Sequence, residues 1–455
     1  MRMPHRPPTG HFAKAMASGP SKLGKILAEA ARSEGEGNYR HWDILRHLEP
    51  PATLSSEEWW SGSKLVRAAA LRTMALCDAA GEPFHYAVTD AIAKSLHEID
   101  RGAAGLIKMP EPITNPQTRR EYVMRSLFQE ALTSSQLEGA ATTRPQAKEM
   151  IRTGRPPRTK DERMILNNYQ TMQRLAEWRE QPLTKDLIFE MHRMVTDGTL
   201  DDPGAAGRLR TPVEFITVQN DTTGEVYHYP PPAGGLSERL TLLCNFANGE
   251  TETNARFVHP VVRAILLHFW LAYEHPFVDG NGRTARAIFY WSMLRQGYWL
   301  FEFISISEVL LKSPKKYALA FLYTETDEND ATYFLIHQSQ VICQAIESLH
   351  LYIERKSQEW RSTEEQLRNT ATLNHRQQAL LGHALRHPGS RYSVEGHRNS
   401  HGIVYETARR DLVELGQRGL LEMRKAGKAF AFTAPADLSE RLQRTKRADD
   451  LLAQI

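Results

Sequence analysis

Two apolar helical patterns meet at one short polar loop, and that junction constrains this 455-residue chain more than any other feature. Before the loop, Val261, Ile265, Leu266, Phe269, Trp270 and Tyr273 recur close to a helical period, and after it Ala287, Ile288, Tyr290, Trp291 and Leu294 do the same. The residues between are His275-Pro276-Phe277-Val278-Asp279-Gly280-Asn281-Gly282-Arg283-Thr284-Ala285-Arg286, too polar and too glycine-rich to be core. Gly280 and Gly282 permit positive φ and close backbone approach. Successive backbone N–H groups in such a loop form a concave anion site, and a helix N-terminus directly behind it attracts phosphate. Arg283 and Arg286 sit three apart, project from one side of the first turn, and offer planar forks matched to phosphate oxygens. Asp279 adds an acidic oxygen where Mg²⁺ would ride on the phosphates. His275 is the one group in the loop able to take a proton near neutral pH. Together these residues describe a nucleotide triphosphate held beside a general base.

The twelve residues resemble the Fic family motif, H-P-F-x-[D/E]-G-N-G-R-x-x-R, without departure. The resemblance implies a mainly α-helical fold, a Fic-type bundle carrying a β-hairpin flap. It also implies an enzyme, a nucleotidyltransferase that moves AMP from ATP onto a Ser, Thr or Tyr hydroxyl of a protein and releases pyrophosphate. On that pattern His275 is catalytic and accepts the hydroxyl proton. Asp279 holds Mg²⁺. Asn281, with Gly280 and Gly282, stabilises the equatorial oxygens as charge develops. Arg283 orients the β and γ oxygens, and Arg286 receives the γ-phosphate. Tyr317 lies in a stretch resembling the family's closing helices, where it either lines the adenine pocket or packs in the core.

A second stretch, 119 to 139, carries Tyr122, Leu127, Glu130, Leu132 and Leu137 at helical spacing and ends in Ser134-Ser135-Gln136-Leu137-Glu138-Gly139. Ser134 and Glu138 are i and i+4 and share a helix face, and Gly139 is a natural stop. This resembles the Fic inhibitory motif, [S/T]-x-x-x-E-[G/N]. The expected device is a Glu138 carboxylate paired with Arg286, standing where a γ-phosphate oxygen would be, so that ATP binds with misplaced phosphates.

The remaining chain divides by composition. Residues 1–37, rich in Pro, Gly, Ser and Lys, read as a disordered tail with one short helix near Lys22 to Arg32. Residues 38–110 read as an N-terminal helical region, with Ser55-Ser56-Glu57-Glu58 as a capped helix start and Trp59-Trp60 as core. The Fic core is expected at 111–360. Within it, 207–232 reads as a hairpin, with Val213, Phe215, Ile216 and Val218 before a turn at Asn220 to Gly224 and with Val226, Tyr227 and Tyr229 after it. By position this resembles the flap, which in the family docks the target by strand addition, so Val213, Phe215 and Ile216 are its candidate docking residues. A polar linker follows at 361–372. Residues 373–435 read as an α+β winged helix whose Arg409, Arg410, Arg424, Lys425 and Lys428 could meet DNA phosphates, and 436–455 as a C-terminal helix or tail.

Composition removes other classes. Net charge is +3, with 41% hydrophobic and 24% charged residues, so no strong commitment to nucleic acid or anionic lipid is written in. No apolar run is long enough for a membrane span, and Cys77, Cys244 and Cys343 are too far apart for a metal site, which suits a cytoplasmic protein. His259, His268 and His275 do not share a helical face as ligands would. There is no P-loop and no strand-linked G-x-G-x-x-G. The expected partner is a protein hydroxyl, on a target or on the chain itself, and a homodimer is compatible with the sequence. Two alternatives stay open: AMP removal or transfer of another nucleotide or phospho-group at the same site, and a DNA-binding regulator whose Fic site modifies the chain itself.

Overall fold

The computed structural model describes residues 2–35, 38–51, 54–104, 116–219, 223–250, 257–368, 373–386, 389–426, 429–435, 437–438 and 440–442. Two compact units divide the chain, 1–349 and 350–455. The first is largely helical.

Its centre is the pair of helices Pro260–Glu274 and Asn281–Arg295, joined by the polar loop. Every residue from Val261 to Leu271 is buried, as are Ala285 to Leu294, so both helices are enclosed on all sides rather than along one stripe. The helices Pro116–Leu137, Lys160–Trp178, Lys185–Thr196 and Leu236–Asn248 surround them. Each starts or stops on a local signal. Thr159 and Thr184 accept from the N–H groups of Glu162 and Leu187 as N-caps, and Gly249 closes Leu236–Asn248 in the left-handed region at φ 81°.

The short helix expected near Lys22 to Arg32 lies within Pro20–Gly35, but the N-terminal residues otherwise depart from the expected disordered tail. Helices His11–Ala17 and Pro20–Gly35 pack on Ser56–Ala68, and Ile26 and Ala30 are fully buried. Gly62 makes this possible, because a Cβ there would lie 2.7 Å from Ile26 and 2.9 Å from Ala30. The composition was a poor guide because only a few small apolar residues do the packing. The capped start did form: Ser55 and Glu58 exchange side-chain to backbone bonds at 3.2 and 3.0 Å. The region 38–110 is not purely helical. Arg72–Cys77 and Pro83–Tyr86 make an antiparallel hairpin with an inward–outward alternation, turned by Asp78, whose Oδ1 accepts from Ala80 and Glu82 N–H at 2.9 Å. This region is also tied to the part expected as a separate core at 111–360. Lys64 pairs with Asp327 at 2.9 Å and Arg67 donates to Tyr333 Oη at 2.9 Å, all four residues being buried.

The unit 350–455 begins within the helix Thr332–Arg368, which occupies most of the expected linker; 369–372 lie outside the described residues. Beyond them come the helix His375–Arg386, a short strand Arg391–Tyr392, the helices Val394–His401 and Tyr405–Gln417, and the strands Glu422–Ala426 and Ala429–Thr433. The last strand is central, paired antiparallel with both others. Arg391–Tyr392 was not anticipated, since two residues carry no periodicity. Asp411 is buried and accepts from Arg376 Nε at 2.7 Å and Asn374 Nδ2 at 2.9 Å, so it holds the unit's own helices together. On the outer face Arg409 pairs with Glu406 at 3.1 Å and Arg424 with Glu422 at 3.9 Å. The Lys425 side chain, Lys428 and residues 443–455 lie outside the described set. Among the described residues, no helix is long and apolar enough to cross a membrane.

Candidate active site

His275 follows the last residue of its helix in a left-handed conformation, φ 45° and ψ 55°. For an L-residue that costs about 1–2 kcal/mol, so the surroundings must hold it there. Arg210 does much of this. Its backbone N–H donates to the Pro276 carbonyl at 2.8 Å, its Nε to the His275 carbonyl at 2.8 Å, and its Nη2 to the Pro231 carbonyl. The imidazole Nδ1 lies 3.3 Å from the Ala272 carbonyl. A carbonyl only accepts, so Nδ1 carries the hydrogen and Nε2 keeps its lone pair. Burial pushes the His275 pKa down to about 4, and His228 acts in the same direction. The ring is therefore neutral near pH 7 and able to take a proton.

The loop that follows is clamped from within and from behind. The Asn281 side chain accepts from Phe277 N–H at 2.9 Å and donates to the Phe277 carbonyl at 2.8 Å. Both ends of that amide are thus committed to the loop backbone. Asn281 acts as a clamp on the loop, a role that spacing did not show, and the clamp uses one of the two hydrogens of its amide nitrogen. His192 was missed by sequence reasoning, being a lone histidine inside an apolar helical pattern. It accepts from Gly207 N–H through Nδ1 at 2.9 Å and donates from Nε2 to the Asp279 carbonyl at 2.9 Å. Its ring stacks on Phe277, with centroids 3.7 Å apart. Gly280, at φ 81°, admits no side chain, because a Cβ would lie 2.6 Å from Thr196 Cγ2.

Asp279, Gly280, Gly282, Arg283 and Arg286 are brought together at the N-terminus of Asn281–Arg295. Arg283 is buried, donating to the Val195 carbonyl at 2.7 Å and to Asp279 Oδ1 at 3.5 Å, while its Nε is buried without a partner among the described residues. An orphaned buried guanidinium N–H is costly, and an anion at the helix N-terminus would satisfy it. Arg286 is also buried. Its Nε donates to Ser134 Oγ at 2.8 Å, and its Nη2 to the Ser134 carbonyl at 3.0 Å and to Glu138 Oε1 at 2.7 Å. Burial pushes the Glu138 carboxyl up, but the adjacent Arg286 outweighs it and the group ends below the usual carboxylate range. Glu138 lies directly over Gly282, where a Cβ would come within 2.2 Å of its Oε1. The carboxylate thus rests on the helix N-terminus, where a phosphate would be most attracted.

Glu138 reaches this position because its helix is pinned. Pro116–Leu137 ends before Glu138, and Gly139 turns the chain at φ 91°. About two turns upstream, buried Glu130 accepts from Tyr290 Oη at 2.9 Å, Ser305 Oγ at 2.8 Å, Ser307 N–H at 3.1 Å and Ser307 Oγ at 2.5 Å. Glu130→Ala strands these buried donors, and we expect the 1–349 unit to lose about 3 kcal/mol. A urea titration with unchanged midpoint would show that the network carries no weight.

The flap residues need correction. The paired strands are Val218–Gln219 and Val226–His228 only, with Val218 opposite His228. Val213 and Phe215 are 90% and 81% exposed, and with Ile216 they precede the ladder. Pro212 has no N–H to give, and Glu214 folds the segment into a turn. Its carboxylate accepts from Thr211 N–H at 2.7 Å and is gripped by both Arg208 Nη atoms at 2.8 and 2.7 Å. The expected tip at 220–222 lies outside the described residues. Tyr317 is half-buried. Its hydroxyl lies 2.8 Å from His268 Nε2, and its ring packs on Phe321 with centroids 5.3 Å apart.

Residues 182–293 match the Fic/DOC family. The chain carries a Fic domain. The matched span includes His192, Arg210, His228 and the whole motif loop, and stops short of Ser134 and Glu138. Over 113 residues, 25% of this chain and 20% of that protein, the sequence is 34% identical to the protein adenylyltransferase fic-1 of Caenorhabditis elegans. Over 120 residues, 26% of this chain and 25% of that protein, it is 32% identical to the protein adenylyltransferase Fic of Nematostella vectensis. The chain therefore spans a quarter or less of the length of these curated relatives. The crystal structure of a Fic family protein from Desulfovibrio desulfuricans G20 has the same fold, with a TM-score of 0.52 at 19% identity, covering 77% of this chain and 98% of that one.

Proposed function

We propose that this Fic-domain protein is an autoinhibited protein adenylyltransferase, using ATP to place AMP on a protein hydroxyl, its own included. One observation carries the reading: a neutral His275 with a free Nε2 stands beside a helix N-terminus whose Arg286 is already occupied by Glu138. Between them Arg283 offers an N–H that has no partner among the described residues. Two guanidiniums and two carboxylates balance at present, and withdrawal of Glu138 would leave an excess positive charge suited to a polyphosphate.

In this proposal the target oxygen attacks the α-phosphorus and its proton passes to His275 Nε2. The bond from the α-phosphorus to the bridging oxygen breaks, and pyrophosphate leaves. Backbone N–H groups of the loop and Arg283 stabilise the charge on the phosphoryl oxygens. Mg²⁺ fits the partly exposed Asp279 carboxylate, where it would neutralise phosphate charge. Asn281 and His192 hold the loop to shape.

The test is incubation of the protein with Mg²⁺ and α-labelled ATP, followed by intact mass. A gain of one AMP on Glu138→Gly, weaker in the parent protein, is expected. Label lost from pre-modified protein would favour AMP removal instead, and nucleotide profiling separates transfer of other groups. Gel shifts at stated salt test DNA contact independently. The pH profile is a further expectation. A base works above its pKa, so transfer by Glu138→Gly should persist down to about pH 5 and fall below it, since His275 sits at about 4. Glu138 itself raises that value, so its removal moves the acid limb lower, not higher. An acid limb at or above the ordinary histidine value, about 6.5, would contradict this.

A further inference from the structure

The hairpin has two roots, and both are fastened to the backbone around His275. The first is Arg210, described above. The second is His228, the last residue of its strand and buried. Its Nε2 lies 2.7 Å from the Tyr273 carbonyl and its Nδ1 2.7 Å from Glu325 Oε2. The carbonyl only accepts, so Nε2 carries a hydrogen, and the carboxylate is best met by a second one. His228 thus ties three elements together: the hairpin, the end of Pro260–Glu274 two residues before His275, and the helix Pro314–Thr326.

We infer that the His228–Glu325 pair is a positioning clasp, which seats the second flap strand against the catalytic helix end and, through its charge, adds to the burial that keeps His275 in the neutral, proton-accepting form. The catalytic part of this inference rests on the adenylyltransferase reading; the clasp itself does not. The groups facing His228 are Glu325 from one helix and Tyr273, Glu274 and His275 from the other. Glu274 is itself matched by Arg239 Nε at 2.6 Å and Trp270 Nε1 at 3.2 Å, which leaves Glu325 as the partner of the imidazolium. Burial lowers the His228 pKa, but Glu325, by hydrogen bond and charge, more than offsets it and the net direction is up. A folded-state value raised above the unfolded one means that the clasp is at full strength below about pH 6.5. It is then lost as pH rises through the raised value.

Two side chains therefore frame a working window. His275 must be neutral, which sets the acid edge, and His228 must be charged, which sets the alkaline edge. Discharging His228 also removes a positive neighbour of His275 and lets its pKa climb. Weakening the clasp should narrow the window from both sides.

The deciding variants are Glu325→Gln and His228→Gln in the full-length chain, each alone and with Glu138→Gly. Hydrogen exchange is followed at the amides of 226–231, and self-transfer from ATP is followed by intact mass, both from about pH 3.5 to pH 9, so that both limbs are covered. With Glu325→Gln, protection of 226–231 should fall roughly tenfold and its loss should begin at lower pH. Self-transfer at saturating ATP should fall about tenfold, with half-saturation by ATP unchanged and both pH limbs moved inward. His228→Gln should abolish the alkaline limb and raise the acid one. Protection that superimposes on the parent across the range would overturn the clasp. Protection that falls while rate and limbs stay put would overturn its positioning role. If Glu138→Gly alone transfers nothing, the adenylyltransferase reading fails and takes the catalytic part with it, while the exchange result still decides the clasp.

Discussion

In the Glu138→Gly background, replacing His275 should cut AMP transfer by about 10²–10⁴-fold, the usual worth of a general base. The choice of variant matters because of the backbone. His275 sits at φ 45°, where alanine pays a steric cost and asparagine is tolerated. His275→Asn therefore tests chemistry with the loop kept in place, and His275→Ala tests the same loss with some added strain. The two should agree within a few-fold in rate, and nucleotide binding, measured separately by calorimetry, should survive in both because Arg283 and Arg286 are untouched. Transfer within tenfold of the parent in His275→Asn, with the protein folded, would remove His275 as the base. The tautomer adds a sharper point. Because Nδ1 is spent on the Ala272 carbonyl, only Nε2 is available, and the hydroxyl must meet that nitrogen.

The second large effect runs the other way. Glu138→Gly should raise transfer ten- to a hundred-fold. A charge-assisted hydrogen bond contributes roughly 1.5–3 kcal/mol, and each 1.4 kcal/mol is tenfold in rate. The Glu138 side chain keeps 27% exposure, so solvent screening favours the lower half of that range. The contact over Gly282 adds a steric argument to the electrostatic one. The carboxylate fills the space above the helix N-terminus, so its loss frees a place for phosphate as well as a guanidinium. Glu138→Gln separates the two: it keeps the bulk, loses the charge, and should land between parent and glycine. An unchanged rate in Glu138→Gly would remove the inhibitory role and leave the transfer reaction standing.

These effects were legible in sequence because the groups concerned are local. The order His275, Asp279, Gly280, Gly282, Arg283, Arg286 lies within one loop and one helical turn, where spacing alone dictates which side chains share a side. Ser134 and Glu138, four apart, obey the same rule, and Ser55 with Glu58 formed the cap that their types demand. The misses also have physical reasons. The turn at Thr211–Glu214 is made by a carboxylate competing for backbone donors, and this outweighed the β-branched run that suggested a longer strand. The helix expected near Lys22 to Arg32 formed as Pro20–Gly35, but its packing was hidden because it depends on a glycine in another helix, Gly62, which admits Ile26 and Ala30.

What the sequence by itself determined, then, is what neighbours along the chain carry: a glycine-containing helix start with two arginines, a histidine beside it, and a carboxylate at a helix end. What only the tertiary structure decided is every contact between residues far apart in number. It aimed Glu138 at Arg286 across 148 positions by anchoring Glu130 to Tyr290 and Ser307. It turned His192 and His228, unremarkable in their own segments, into the bolts of the loop and the flap. It made Asn281 a clamp on the loop backbone for the same reason. A side chain's partners are fixed by which backbone groups the fold leaves unsatisfied nearby, and no spacing rule reports that.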